Sequence, residues 1–237
     1  MNILITLCAR GGSKGIPGKN IRHINGAPLI FYSINHAKKF TSLFSADITL
    51  STDSVEIKSV ASRYGIQTPY TRPAHLSSDT AGKVETIYDI LVYEEKVRGI
   101  RYDFILDLDV SSPLRSIIDL VDAFDIIRGD PDALNLFSVN LANRNPYFNM
   151  VEQKENGYFS LIKKSNFLTR QSAPPVYDMN ASFYFFKRTF FDIQNPTTIS
   201  ERSLIYIMPH ICFDLDHPID FEFMEYLLIN NRIGFDL

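Results

Sequence analysis

The chain of 237 residues carries a formal net charge of −3, with 45% hydrophobic and 22% charged residues, which suits one large domain with a substantial core. The balance argues against a general binder of nucleic acid or anionic membrane, and the apolar stretch before Arg10 is too short for a signal peptide or a membrane span. The only cysteines, Cys8 and Cys212, lie in apolar runs without metal-ligand spacing and read as reduced core residues of a cytoplasmic protein.

Residues 2–8 read as a buried strand that runs into Arg10-Gly11-Gly12-Ser13-Lys14-Gly15-Ile16-Pro17-Gly18-Lys19-Asn20. Four glycines, three cations and a proline within eleven residues describe a backbone that bends closely around an anion. The loop matches neither the dinucleotide pattern GxGxxG nor the Walker pattern GxxxxGK[ST]. A spare surface turn has no need of Arg10, Lys14 and Lys19 spaced along it, so we read a triphosphate cradle that also stabilises departing pyrophosphate.

A helix is predicted over 28–40, with Pro28 suited to its first position, then a strand at 48–51 and a helix at 54–64. A short strand at 66–70 follows, then the polar segment Arg72 to Ala81, in which His75 reads as a surface residue. A long helix is predicted over 80–98, with Asp79 as its cap. Residues 103–109 form the next strand, ending in Asp107-Leu108-Asp109, whose carboxylates suit either a second metal or a polar substrate. Ser111 and Ser112 in the following turn either start a helix at 116–128 or contribute to a site. A fifth strand covers 134–139. This β-α-β-α order predicts a mainly parallel sheet with helices on both faces and ligands beyond the carboxyl ends of the strands.

The rhythm breaks over 143–185, which is polar, aromatic and turn-rich and reads as an insertion covering a site or a neighbouring subunit. Within it Arg170 suits a carboxylate or phosphate, although an exposed arginine is commonly only solvated. Phe183-Tyr184-Phe185-Phe186 reads as core strand. Strands near 182–187 and 204–208 and a helix near 218–230 close a single domain of 1–237. Just before that helix, Asp214 and Asp216 would point to one face with Leu215 packed behind them. Paired carboxylates suit Mg²⁺; the alternative is that they cap the helix begun by Pro218.

Taken together, Ala9 to Asn20, Ser51-Thr52-Asp53, Arg72-Pro73-Ala74, Ser112-Pro113-Leu114-Arg115, Arg170-Gln171 and Asp214-Leu215-Asp216 resemble the CMP-sialate synthetases, the acylneuraminate cytidylyltransferases. The resemblance spans essentially the whole chain. It implies a Rossmann-like domain of the GT-A type with a dimerisation insert, a homodimer, Mg²⁺, CTP, and a nine-carbon 2-keto sugar acid. It further implies that Arg10, Lys14, Lys19 and Asn20 hold the CTP phosphates and ribose, that Arg170 approaches the reacting groups, and that Asp214 and Asp216 hold the metal. Leu7, Ala9, Arg10, Gly12, Asn20, Arg72, Ala81 and Lys83 would line the nucleotide. Asp107, Asp109, Ser112, Arg170, Gln171, Tyr177 and Asn180 would meet the sugar.

Two departures from that pattern matter, and the first bears on the sugar. Asp109 stands where sialate enzymes have a sugar-contacting Gln, and Lys83 where many have a Ser near the cytosine. The segments around Asp107, Arg144 to Asn149, Thr169 to Pro174 and Tyr177 to Ser182 instead resemble the branch that activates N,N'-diacetyllegionaminic acid. Sialic or pseudaminic acid, a different nucleotide such as UTP or GTP, and a non-catalytic nucleotide-binding protein are the rival readings.

Overall fold

The computed structural model describes residues 1–12 and 15–237, so Ser13 and the expected phosphate ligand Lys14 lie outside the described residues. The chain begins with β1 (Ile3–Cys8), followed by the small antiparallel pair β2 (His23–Ile24) and β3 (Ala27–Pro28). Next come α1 (Leu29–Thr41), β4 (Ala46–Ser51), α2 (Val55–Arg63), α3 (Lys83–Arg98), β5 (Phe104–Leu108) and α4 (Ile117–Gly129). After β6 (Asn135–Leu141) a hairpin of β7 (Val151–Gln153) and β8 (Phe159–Leu161) stands apart from the main sheet. The chain closes with β9 (Tyr177–Lys187), β10 (Ser203–Ile207) and α5 (Pro218–Ile229).

The six-stranded sheet has the order β10-β6-β9-β5-β1-β4. Strands β4, β1 and β5 are mutually parallel, as are β10 and β6. Alternation along β1 explains why both faces are covered: Ile3, Ile5 and Leu7 pack with α1 and α4, whereas Leu4 packs with Ile87 and Leu91 of α3. The sheet therefore has a Rossmann-like character.

Three expectations are corrected. Residues 66–70 form no strand: Pro69 lacks an N–H for a ladder, and the chain instead returns to the sheet at Arg72, whose N–H reaches Thr52 O at 3.0 Å. Helix α3 begins at Lys83 behind Gly82 rather than behind Asp79, and the Asp79 carboxylate pairs with Arg10 at 2.7 Å. The insertion is shorter than 143–185, because β9 begins at Tyr177 and lies in the middle of the sheet, antiparallel to both β5 and β6. The reason is connective. No α-helix bridges β6 and β9, so the chain is not carried back to the starting edge and re-enters in the opposite direction. As expected, Phe183 to Phe186 are buried.

Arg115 anchors the turn after β5. Its guanidinium is fully buried and donates to the carbonyls of Ser112 and Asp109 at 3.0 and 3.1 Å and to the Ser33 hydroxyl at 2.6 Å. Burial brings its pKa down to about 10. The turn is thereby tied to α1, and through Ser182 to β9.

Candidate active site

At the carboxyl ends of β1, β4 and β5 the chain forms a cleft of about 270 Å³. Among its lining residues are Arg10, Gly12, Lys19, Asn20, Arg72, Ala81, Lys83 and Asp109, which the sequence placed on a nucleotide or sugar. Leu7 and Ala9 are buried in the strand and its exit, where the Ala9 N–H donates to Ser51 O at 3.0 Å.

The glycine-rich loop is held at both ends. The Gly11 N–H donates to Asp53 Oδ1 at 2.8 Å, and the Asn20 amide donates to Arg10 O at 2.9 Å. Gly18 adopts φ +64°, a conformation that glycine takes without strain. At Gly15 the need is steric: a Cβ there would meet the Asp216 carbonyl oxygen at 2.5 Å. That close approach brings the segment carrying both late aspartates against the loop. Lys19 Nζ then lies 3.3 Å from Asp216 Oδ1. Arg72 lines the cleft with its guanidinium committed to Ser51, Nε to the hydroxyl at 2.9 Å and Nη2 to the carbonyl at 2.6 Å.

Leu215 is fully buried between Asp214 and the exposed Asp216, and its N–H donates to Ser111 O at 2.9 Å. The helix cap that was an alternative role for these aspartates is made by other groups. His217 and Asp220 form a reciprocal capping box, leaving the Asp216 carboxylate directed at Lys19. Burial, then the charges of Asp109 and Asp216, push the Asp214 carboxyl up to about 6. Among the described residues no group of three or more His, Cys, Asp or Glu side chains is arranged to hold a metal. Mg²⁺ needs no such cage, since it takes one or two carboxylates and completes its shell with water and substrate phosphate. The hard oxygens of Asp214, which lies near the charges of Asp109 and Asp216, and of the exposed Asp216 fit that requirement.

On the far wall Asp107 is fully buried below the cleft, and only Asp109 lines it. Lys83 pairs with both, at 3.2 and 2.8 Å. Burial opposes the lysine's charge, but Asp109 and Asp107 outweigh it and raise its pKa well above the ordinary value. Burial would likewise raise Asp109, yet Lys83 and hydrogen bonds from Lys83 and Ser111 bring it down to about 2. Cys8, at the cleft floor, is pushed up to about 12 by burial and then by Asp107, so it remains a thiol.

Other expected sugar contacts sit elsewhere. Ser112 is buried and donates to Asn180 O at 2.7 Å, while the Asn180 side chain bonds Ser138 and Asn140. These groups brace the turn and β9 and are spent within the fold. Arg170 and Gln171 line a separate hollow of about 420 Å³ in the insertion, where Arg170 Nη2 donates to Ala142 O at 2.8 Å. Tyr177 is exposed at the start of β9, paired in register with Leu141. Arg10, Lys19, Asn20, Arg72, Lys83, Asp109, Asp214 and Asp216 are thus brought to the cleft region, whereas Arg170, Gln171 and Tyr177 are not brought there by their own chain.

Sequence reasoning missed Ser111 as the residue that orients Asp109, with N–H and hydroxyl both at 2.8 Å, and Arg115 as the anchor of the turn. The adjacency of an Asp and a Ser two residues on, the pattern of an Asx turn, was the available signal for the first.

The chain was compared with known proteins. It is 44% identical over 227 residues, 95% of this chain and 94% of the relative, to a Campylobacter coli protein named post-translational flagellin modification protein B. It is 42% identical, over the same shares, to a Campylobacter jejuni protein named CMP-N,N'-diacetyllegionaminic acid synthase. A solved CMP:2-keto-3-deoxy-manno-octonic acid synthetase complexed with CTP shares the fold, with a TM-score of 0.69 at 16% identity over 98% of this chain and 100% of that one. The family model for cytidylyltransferases matches residues 4–233, and with these relatives over nearly the whole chain, this chain belongs to the cytidylyltransferase family.

Proposed function

We propose that this cytidylyltransferase joins CTP to N,N'-diacetyllegionaminic acid, a nine-carbon 2-keto sugar acid, giving the CMP-sugar and pyrophosphate. The observation that most supports the reading is the close approach of Gly15 to the Asp216 backbone, which brings the segment carrying both late aspartates against the phosphate loop. The relative named for this same product supports the choice of sugar.

The anomeric hydroxyl attacks the α-phosphorus in line. Its oxygen forms the new P–O bond and releases its proton to solvent, the bond from the α-phosphorus to the α–β bridging oxygen breaks, and pyrophosphate leaves from the opposite side. Arg10 and Lys19, with Lys14, neutralise the charge that develops on the leaving group. Asp214 and Asp216 would hold Mg²⁺, which supplies charge neutralisation at the phosphates when bound. Arg72 is locked on Ser51 and so presents a fixed cationic edge to the nucleotide.

We also infer a homodimer built on the insertion. Val151, Tyr158, Phe159 and Leu168 are exposed there, with Leu168 at 90%. Arg170 and Gln171 act on a sugar only if such an assembly carries them to a cleft. The two free thiols agree with a cytoplasmic setting, and no described helix is long and apolar enough to cross a membrane.

Pyrophosphate release with CTP, Mg²⁺ and a panel of nonulosonic acids tests the reading. Fastest turnover with N,N'-diacetyllegionaminic acid is expected. Faster turnover with sialic or pseudaminic acid would move the assignment to that sugar, and silence with every sugar would sink it.

A further inference from the structure

Lys83 stands between two carboxylates whose oxygens are all engaged from inside the chain. Its ammonium lies 3.2 Å from Asp107 Oδ2 and 2.8 Å from Asp109 Oδ2. The remaining oxygen of Asp107 accepts the Thr6 hydroxyl at 2.7 Å. The remaining oxygen of Asp109 accepts the N–H and hydroxyl of Ser111, both at 2.8 Å. Beside the ammonium is the Tyr184 ring, its centre 4.8 Å from Nζ.

Two carboxylates converging at the inner wall of a cleft proposed to bind phosphates are a natural seat for a hard divalent ion. Here that seat is filled by a cation carried on the first residue of α3. The third wall of the seat is an aromatic face, which attracts an ammonium and offers a hydrated divalent ion no oxygen ligand. A tethered ammonium also has no association entropy to lose, so a free ion must displace it to gain access to Asp107 or Asp109.

We propose that Lys83 is a built-in cation occupying a metal-like position between Asp107 and Asp109, so that the chain works with a single divalent ion, at Asp214 and Asp216. The proposal rests on the cytidylyl-transfer reading of the cleft and deepens it. Lys83 is then a positioning residue: it fixes Asp109, and with it the Ser111 turn, without a second metal.

The test counts Mn²⁺ bound per chain by electron paramagnetic resonance, on the intact protein without nucleotide or sugar. The Lys83→Met chain is expected to bind one Mn²⁺ more than wild type, and Lys83→Arg, which keeps the cation, no more than wild type. Adding Asp109→Asn to Lys83→Met should return the count to that of wild type. A Lys83→Met chain that folds by circular dichroism and binds no additional Mn²⁺ would overturn the proposal. Should Lys83→Met not fold, the wild-type ion decides: it should be lost in Asp214→Asn and kept in Asp109→Asn, and the reverse pattern refutes the assignment. Because no turnover is read, failure here is distinct from failure of the pyrophosphate assay.

Discussion

Replacing Gly15 with alanine tests whether the loop and the late aspartates work as one unit. The added Cβ would lie 2.5 Å from the Asp216 carbonyl oxygen, half an ångström inside the closest approach that real Cβ atoms show. The atom it meets is backbone, so no side chain can swing aside and the two segments must part. Overpacking of this kind costs about 1–3 kcal/mol of stability. The parting also stretches the Lys19–Asp216 pair, now 3.3 Å, and displaces the phosphate loop from the carboxylates. A misplacement approaching 1 Å costs on the order of 100-fold in a reaction that depends on alignment, so a kcat loss of about 10- to 100-fold is expected. Steady-state pyrophosphate release and a urea melt on Gly15→Ala measure both effects. Gly129→Ala, at the end of α4 with nothing within 4 Å of its Cβ, is the control and should match wild type in turnover. Wild-type turnover and stability in Gly15→Ala would refute the reasoning.

Asp216→Asn should remove most turnover while leaving the circular dichroism spectrum unchanged, and undiminished turnover would contradict the metal assignment. Arg115→Met should lower unfolding free energy by about 2–4 kcal/mol in urea titration, because it leaves buried carbonyls and the Ser33 hydroxyl without their donor; no loss would mean that the anchor is dispensable. His210, stacked 3.8 Å from Phe235, donates to Asp119, and although burial opposes its charge the Asp119 bond raises its pKa above 6.5. That stabilisation is complete below pH 6.5 and is lost as pH rises through the raised value. Burial would raise Asp119, but its bonds from His210 and Ser116 lower it below 3.8, so its share is complete above pH 3.8 and lost as pH falls through the lowered value. His210→Gln should therefore cost more stability at about pH 5.5 than at about pH 9, and an equal cost at both would sink the pairing.

Much of the cleft was legible because it is local. A strand ending in glycines and cations, and a DxD placed just before the helix-starting Pro218, can each be recognised within a few residues. Apolar periodicity also found α1, α4 and β5, whose buried faces match the pattern. What escaped was non-local. An apolar strand reads the same in either direction, so nothing in Phe183 to Phe186 said that β9 runs antiparallel. Ile66 and Tyr70 are both buried, which mimics a strand, but they pack from an irregular segment around Pro69. Lys83 and its carboxylates lie 24 and 26 residues apart, too far for spacing to pair them. Ser112 and Asn180 have the chemistry of sugar ligands, and only their burial reveals that they hold the fold together.

The most direct test of the central claim is ³¹P NMR of the chain with CTP, N,N'-diacetyllegionaminic acid and Mg²⁺. The account predicts loss of the triphosphate signals with equal growth of pyrophosphate and a single phosphodiester, and no such growth with UTP. Unchanged CTP signals, or a phosphodiester formed equally well from UTP, would contradict it.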